Sequence, residues 1–128
     1  MTNKASSVCV FLDANVIVKI LDGYEVKELS DSIEVFISSI SFNIVSYLWE
    51  AKKINCTLEE LKDFFSSVNI LTVDQDICWQ GLELSDYRDI EDGLQIACAL
   101  DNRIDLLLTY DKKMYQKYKN NLSITLCE

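Results

Sequence analysis

Acidic side chains stand at three separated points of this chain. Asp13 closes the apolar run VCVFLD, Asp111 closes LLLTYD, and Asp89, Glu91 and Asp92 crowd into RDIEDGLQ. Carboxylates brought to close range repel and raise one another's pKa. A hard divalent cation such as Mg²⁺ or Mn²⁺ relieves that repulsion, because it prefers oxygen ligands. Held by such a cluster, it can activate a water and neutralise charge on a phosphate. The chain has no histidine, and its five cysteines, Cys9, Cys56, Cys78, Cys98 and Cys127, form no CxxC pair. A tetrahedral zinc site is therefore nearly excluded. Isolated cysteines such as Cys98 in IACAL read instead as small buried hydrophobes of a reducing compartment. Each acid also has a structural reading. Asp13 and Asp111 are candidate caps of the helices that follow them, and Asp89 is a candidate N-cap whose acidic neighbours suit the helix dipole.

The elements that must position these acids follow from periodicity. VCVFL, Val8–Leu12, reads as a strand buried on both faces. A short helix follows from about Asn15 to Leu21, with Gly23 as its stop. YEVKELSDSI, Tyr24–Ile33, has amphipathic helical spacing, and VFISSI, Val35–Ile40, reads as a second strand. Ile44, Val45, Leu48 and Trp49 give helical spacing across Ser41–Lys53. TLEE is a capping box, with Thr57 at the N-cap and Glu60 at N3, opening a helix through Phe64 and Phe65. VNILTV reads as a third strand, and Asp74 caps a helix bearing Ile77, Cys78, Trp79 and Leu82. DIEDGLQIACALDNR, Asp89–Arg103, is apolar almost all round and should be a buried helix. DLLLT is a fourth strand, KKMYQKYK a last helix and SITL a fifth strand.

Strands that alternate with helices predict an α/β fold. We expect a three-layer α/β/α sandwich with a mostly parallel sheet of about five strands, as a single domain over residues 1–128. Ligands of such sheets bind outside the carboxyl ends of the strands, near the point where strand order reverses. Strand ends and helix starts share that edge, so Asp13, Asp92 and Asp111 should converge there.

Composition narrows the partners. A net charge of −9 speaks against a protein that grips nucleic acid by a basic surface. Yet the charges are uneven: Asp74 to Asp92 holds seven acids and one base, Arg88, whereas Lys112 to Lys119 holds four lysines and no acid. The lysine run reads either as a solvated helix face or as a phosphate-contacting edge, with Lys112, Lys113 and Lys117 as candidate RNA contacts. The opening MTNKASS leads into an apolar run too short for a secretory leader, and no run approaches the roughly 20 apolar residues of a membrane span. A soluble, cytoplasmic protein without membrane contact is expected.

At these residues the chain resembles a PIN domain, the nuclease fold of many bacterial toxin–antitoxin toxins. FLDANVIV, EDGLQIACAL and LLLTYD carry the resemblance, in family order and spacing, across essentially the whole chain. It implies a metal-dependent endoribonuclease acting on RNA, with Mg²⁺ or Mn²⁺ held by Asp13, Asp92 and Asp111. It further implies that Asn15 supports Asp13 and that the Thr109 hydroxyl faces the metal or its water. An antitoxin protein and a homodimer are the partners it suggests.

The family's further acid, a glutamate early in the helix after the second strand, is missing. Its place falls at Ile44 or, shifted by one, at Asn43, and Glu50 lies roughly 10 Å further along the helix. Three accounts are open. Glu91 or Asp89 supplies the carboxylate from the other side, which the acidic pair of a PIN subgroup at this helix start favours. Alternatively Asn43 gives a neutral oxygen, or the site is degenerate and the fold is kept as a protein- or RNA-binding module. In that last reading Val16, Ile17 and Ile20 cover a partner or a second subunit; the alternative, expected for most of them, is that they are simply core. Tyr110 is a smaller departure, standing where the family often has arginine or asparagine. A haloacid-dehalogenase phosphatase would need an acid in place of Asn15, and a receiver domain a paired acid beside Asp13; neither fits.

Overall fold

Alternation within the first strand decides the architecture. β1 (Val8–Leu12) turns Val10 and Leu12 to one face and Phe11 to the other, and all three are buried. A strand apolar on both sides requires cover on both sides. The computed structural model describes residues 7–29 and 33–128. In it β1 is followed by α1 (Ala14–Leu21), β2 (Ile33–Ser38), α2 (Ser39–Glu50), α3 (Leu58–Ser67) and β3 (Asn69–Leu71). Then come α4 (Gln75–Ser85), α5 (Ile90–Asp101), β4 (Leu106–Thr109), α6 (Lys112–Tyr118) and β5 (Ile124–Leu126).

The five strands form one sheet in the order β3-β2-β1-β4-β5, and every neighbouring pair is parallel. The chain winds outward from β1 to β3, then returns to place β4 on the other side of β1. Strand order therefore reverses between β1 and β4. Val16, Ile17, Val45 and Leu61, from α1, α2 and α3, pack on the face of Val10 and Leu12. Ile77, Ile96, Cys98, Met114 and Tyr118, from α4, α5 and α6, pack on the face of Phe11 and Leu107. This is the expected α/β/α sandwich.

Local chemistry sets the helix starts. Thr57 Oγ1 accepts from the Glu60 amide at 3.1 Å while Glu60 Oε1 accepts from the Thr57 amide at 2.9 Å, the capping box in full. Asp74 Oδ1 accepts from the Ile77 amide at 2.9 Å. Gly23, at φ 92°, closes α1 by turning the chain so that its own amide reaches the Ile20 carbonyl and that of Tyr24 the Lys19 carbonyl.

Two expectations need correction. The segment Tyr24–Ile33 is not a helix where it is described. Val26 is buried and Leu29 packs on the core, joined by one bond from the Leu29 amide to the Val26 carbonyl at 3.1 Å, and Ile33 already opens β2. Apolar residues three apart thus report burial of a turn as readily as of a helix. Residues 30–32 of that segment, and all but Ser7 of the opening MTNKASS, lie outside the described residues. The second strand ends at Ser38, not Ile40, because Ser38 Oγ accepts from the Ser41 amide at 3.0 Å and starts α2 there. Val16 and Ile17 are fully buried and half-buried Ile20 packs on the same cluster, in keeping with the core reading. Cys98 and Cys127 are buried as expected, whereas Cys78 is exposed on α4. Among the described residues no helix is long and apolar enough to cross a membrane.

Candidate functional site

β1 and β4 stop side by side at the reversal of strand order. Asp13 follows β1, and its Oδ1 accepts from the Ala14 amide at 2.8 Å. Its Oδ2 accepts from Thr109 Oγ1, at the end of β4, at 2.7 Å and from Asn15 Nδ2 at 3.1 Å. Asn15 Oδ1 in turn accepts from the Tyr110 amide at 3.0 Å, so this asparagine spans the two strand ends as well as supporting Asp13. The Thr109 hydroxyl is fully buried; it gives its proton to Asp13 and accepts from the Asp111 amide at 3.0 Å. The hydroxyl thus bears directly on the Asp13 carboxylate. Burial pushes the Asp13 carboxyl above its ordinary pKa; the bonds from Thr109 and Ala14 pull it down, and the charges of Asp111 and Glu91 push it up again.

Asp111 stands at the N-cap of α6, where its Oδ1 accepts from the Lys113 and Met114 amides at 2.8 and 3.1 Å. Asp92, in the first turn of α5, is different. It is half-buried, and among the described residues no donor reaches its carboxylate. Burial foremost, then the charges of Asp13, Asp111, Asp89 and Glu91, push its pKa up to about 7.

What holds Asp92 in place is its backbone. A Cβ added to the neighbouring Gly93 would collide with the Gly81 carbonyl and lie 2.7 Å from Ser85 Cβ. One added to Gly81 would lie 2.7 Å from Leu94 Cδ2. So α4 and α5 cross backbone against backbone, and the glycine of EDG serves that crossing. One turn beyond Asp92, Gln95 accepts from Ser38 Oγ and donates to Ser41 Oγ, both at 2.6 Å and all three residues buried. This tie fastens α5 to the junction of β2 and α2. The turn between α4 and α5 holds Asp86, Tyr87 and Asp89 at φ 55°, 61° and 51°. Asp89 occupies the N-cap position of α5 yet makes no side-chain cap bond, because its left-handed backbone turns the side chain away. Lys117 Nζ spans this turn, donating to the Ser85 carbonyl at 2.8 Å and the Arg88 carbonyl at 3.3 Å.

The sequence profile of the PIN domain matches residues 10–120. The chain belongs to the PIN-domain family. No curated protein matches it in sequence. Its fold is similar to that of VapBC-1 from nontypeable Haemophilus influenzae, with a TM-score of 0.65 at 16% identity over 92% of this chain and 97% of the other. It is likewise similar to VapBC2 from Rickettsia felis bound to a DNA fragment from their promoter, with a TM-score of 0.64 at 19% identity over 92% and 98%. A toxin–antitoxin complex from Klebsiella pneumoniae aligns with a TM-score of 0.57 at 19% identity over 83% and 89%.

In this PIN domain Asp13, Asp92, Asp111 and Glu91 line one hollow of about 530 Å³. α2 presents Leu48 to this hollow as an apolar wall, one turn beyond Ile44, where the family places its further acid. Asn43 and Glu50 line a different hollow with Tyr47, so Asn43 is not brought to the acids. Asp89 is exposed and acts on Asp92 only through its charge. A third hollow, of about 440 Å³ near Trp49, sets Asp22 and Glu50 against Lys52 and Lys53; its balanced charge gives it no comparable pull on a cation.

The donor set of the PIN site is all oxygen and strongly negative, which fits a hard divalent cation. Among the described residues no three acidic or thiol side chains are drawn into one coordination shell. The charges of their acidic neighbours help to raise the pKa of Asp13 and Asp92. Lys112 and Lys113 are exposed on the first turn of α6, directly after Asp111. The positioning residues Gln95 and Gly81 had no sequence signal, because a buried glutamine in an apolar helix and a glycine in a polar one read as ordinary helix residues.

Proposed function

We propose that this PIN domain is an endoribonuclease that works with Mg²⁺ or Mn²⁺ and serves as the toxin of a toxin–antitoxin pair. The observation that carries the reading is the meeting of Asp13, Asp92 and Asp111 from three separate segments where strand order reverses, with Asp92 left without a donor. Asp13, Asp92 and Asp111 would hold the cation, whose charge polarises a water and offsets the charge developing on a phosphodiester. Thr109, Asn15 and the Ala14 amide orient Asp13 for this task. Glu91, exposed at the rim beside Asp92, takes the place of the absent family acid and accepts a proton from the attacking water. Lys112 and Lys113 meet RNA phosphates beside Asp111, while Lys117 shapes the turn before α5. The similar structures described as VapBC and as a toxin–antitoxin complex support an antitoxin partner.

A second reading, a catalytically silent domain kept for binding, draws on Leu48, the apolar side chain that α2 presents to the hollow. Cleavage of a structured RNA by the purified protein separates the two. Mn²⁺ or Mg²⁺ should support cleavage, and EDTA or Asp92→Asn should abolish it. Intact RNA in every condition would leave the binding reading standing.

A further inference from the structure

Half of the acidic hollow lies beyond the carboxylates that would hold a cation. From Asp13 it runs along α1 past Val18 and Lys19 to Tyr24, and its volume of about 530 Å³ falls within the roughly 300–1,000 Å³ of small-ligand sites. Five acids line it, Asp22 with the four named above, against one cation, Lys19. That cation does not neutralise them: among the described residues the one ion pair joins Lys62 and Glu59. The Lys19 ammonium instead stands 4.6 Å from the centre of the Tyr24 ring and 5.8 Å from that of Tyr110.

Tyr24 is 62% exposed and belongs to neither core cluster. It is nevertheless well placed, because its amide bonds the Lys19 carbonyl at 3.0 Å in the turn that closes α1. A lysine in the last turn of a helix suits the helix dipole, which accounts for the charge of Lys19 but not for a largely exposed aromatic ring beside it. Asp22, the acid nearest in sequence, has its Oδ1 engaged by the Asn55 amide at 2.8 Å.

We propose that Lys19 and Tyr24 form a nucleotide subsite in which Tyr24 stacks one unpaired base of single-stranded RNA and Lys19 binds the adjoining phosphate. The subsite rests on the ribonuclease reading above and adds two residues that would hold the substrate of that site. A phosphate nearing five carboxylates is repelled, so a strand needs a fixed cation on its approach; an ammonium supplies it. An aromatic face accepts any base, provided the base is free of its own stack. Single-stranded loops and ends therefore fit this hollow, and a continuous duplex does not.

The test is binding of a short fluorescein-labelled oligoadenylate to the whole chain, followed by anisotropy with Ca²⁺ present. Tyr24→Ala should weaken binding about tenfold or more, and Tyr24→Trp should restore it. Lys19→Ala should weaken binding and lower its salt dependence by about one charge, and Lys19→Arg should restore both. Both positions are exposed, so the variants should melt with the parent. A duplex RNA should be indifferent to Tyr24→Ala. Oligoadenylate binding that ignores both alanine variants overturns the subsite alone, even where the parent cleaves RNA. No binding by the parent overturns the subsite, and the ribonuclease reading then stands or falls on the cleavage test. Tyr24-dependent binding without cleavage in Mn²⁺ supports the subsite and overturns the catalytic reading.

Discussion

At the end of β1 the Asp13 carboxylate accepts from the Ala14 amide, the Thr109 hydroxyl and the Asn15 side chain, whereas across the hollow the Asp92 carboxylate accepts from none of the described residues. Asp13 is nine-tenths buried and tied to both strand ends; Asp92 is half-buried and held only through its helix, by Gly93 against α4 and by Gln95 against α2. The same side chain thus does two jobs in one cluster. Asp13 joins β1 to β4 and would hold the shape of the site whether or not a cation came. Asp92 carries a charge that the fold positions but does not satisfy. That difference in protein partners is what distinguishes the two carboxylates of the cluster.

The comparison breaks most readily at Asp13. Asp13→Ala strands the Thr109 hydroxyl and leaves the Asn15 and Ala14 donors short of a partner, and should cost about 3 kcal/mol in denaturant unfolding. A loss below about 1 kcal/mol would mean that the network does not hold the strand ends together. Next comes the mount of Asp92. Gly93→Ala forces α5 off the Gly81 carbonyl and should cost about 2 kcal/mol, while moving Asp92 relative to Asp13. An unchanged stability would show that α4 and α5 separate freely.

Asp92 itself should respond with the opposite sign. Between its ordinary 3.8 and the raised value of about 7, the folded protein keeps a proton that the unfolded chain has released. The folded state then binds more protons, so this group's contribution to stability falls as pH rises across that window. Asp92→Asn has no charge to bury, so in EDTA it should melt with the parent near pH 4 and above it by a few degrees beyond pH 7. Melting curves that stay parallel from pH 4 to pH 8 would contradict the reading that its charge is uncompensated. The smallest effect on stability belongs to the lysines. Lys112→Glu with Lys113→Glu should leave stability within about 0.5 kcal/mol and weaken RNA binding, with a shallower salt dependence. Unchanged affinity and salt dependence would remove α6 from the RNA path.

Much of this arrangement is legible in the sequence because it is local. An apolar run closed by an acid gave β1 and Asp13, TLEE gave the start of α3, and Asp74 gave the start of α4, each decided by side chains within a few residues. The convergence of Asp13, Asp92 and Asp111 on one hollow followed from alternation of strands and helices, since parallel strands end on one edge. What periodicity misread was Val26 and Leu29, whose spacing is helical although their backbone is not. What it lacked was anything set by contact between distant segments. Nothing local to Lys117 shows that the Ser85 and Arg88 carbonyls accept from it. Gln95 read as an ordinary helix residue because its partners lie more than fifty residues away, and Tyr24 was placed on a helix face when it stands at the rim of the hollow.

The measurement that bears most directly on the contrast between Asp13 and Asp92 is thermal unfolding of the parent and of Asp92→Asn at pH 8, each with EDTA and with Mn²⁺. The cluster as described predicts that Mn²⁺ raises the melting temperature of the parent, while the variant starts higher in EDTA and gains little. A parent indifferent to Mn²⁺, or a variant that gains as much as the parent, would contradict the claim that Asp92 carries a charge waiting for a cation.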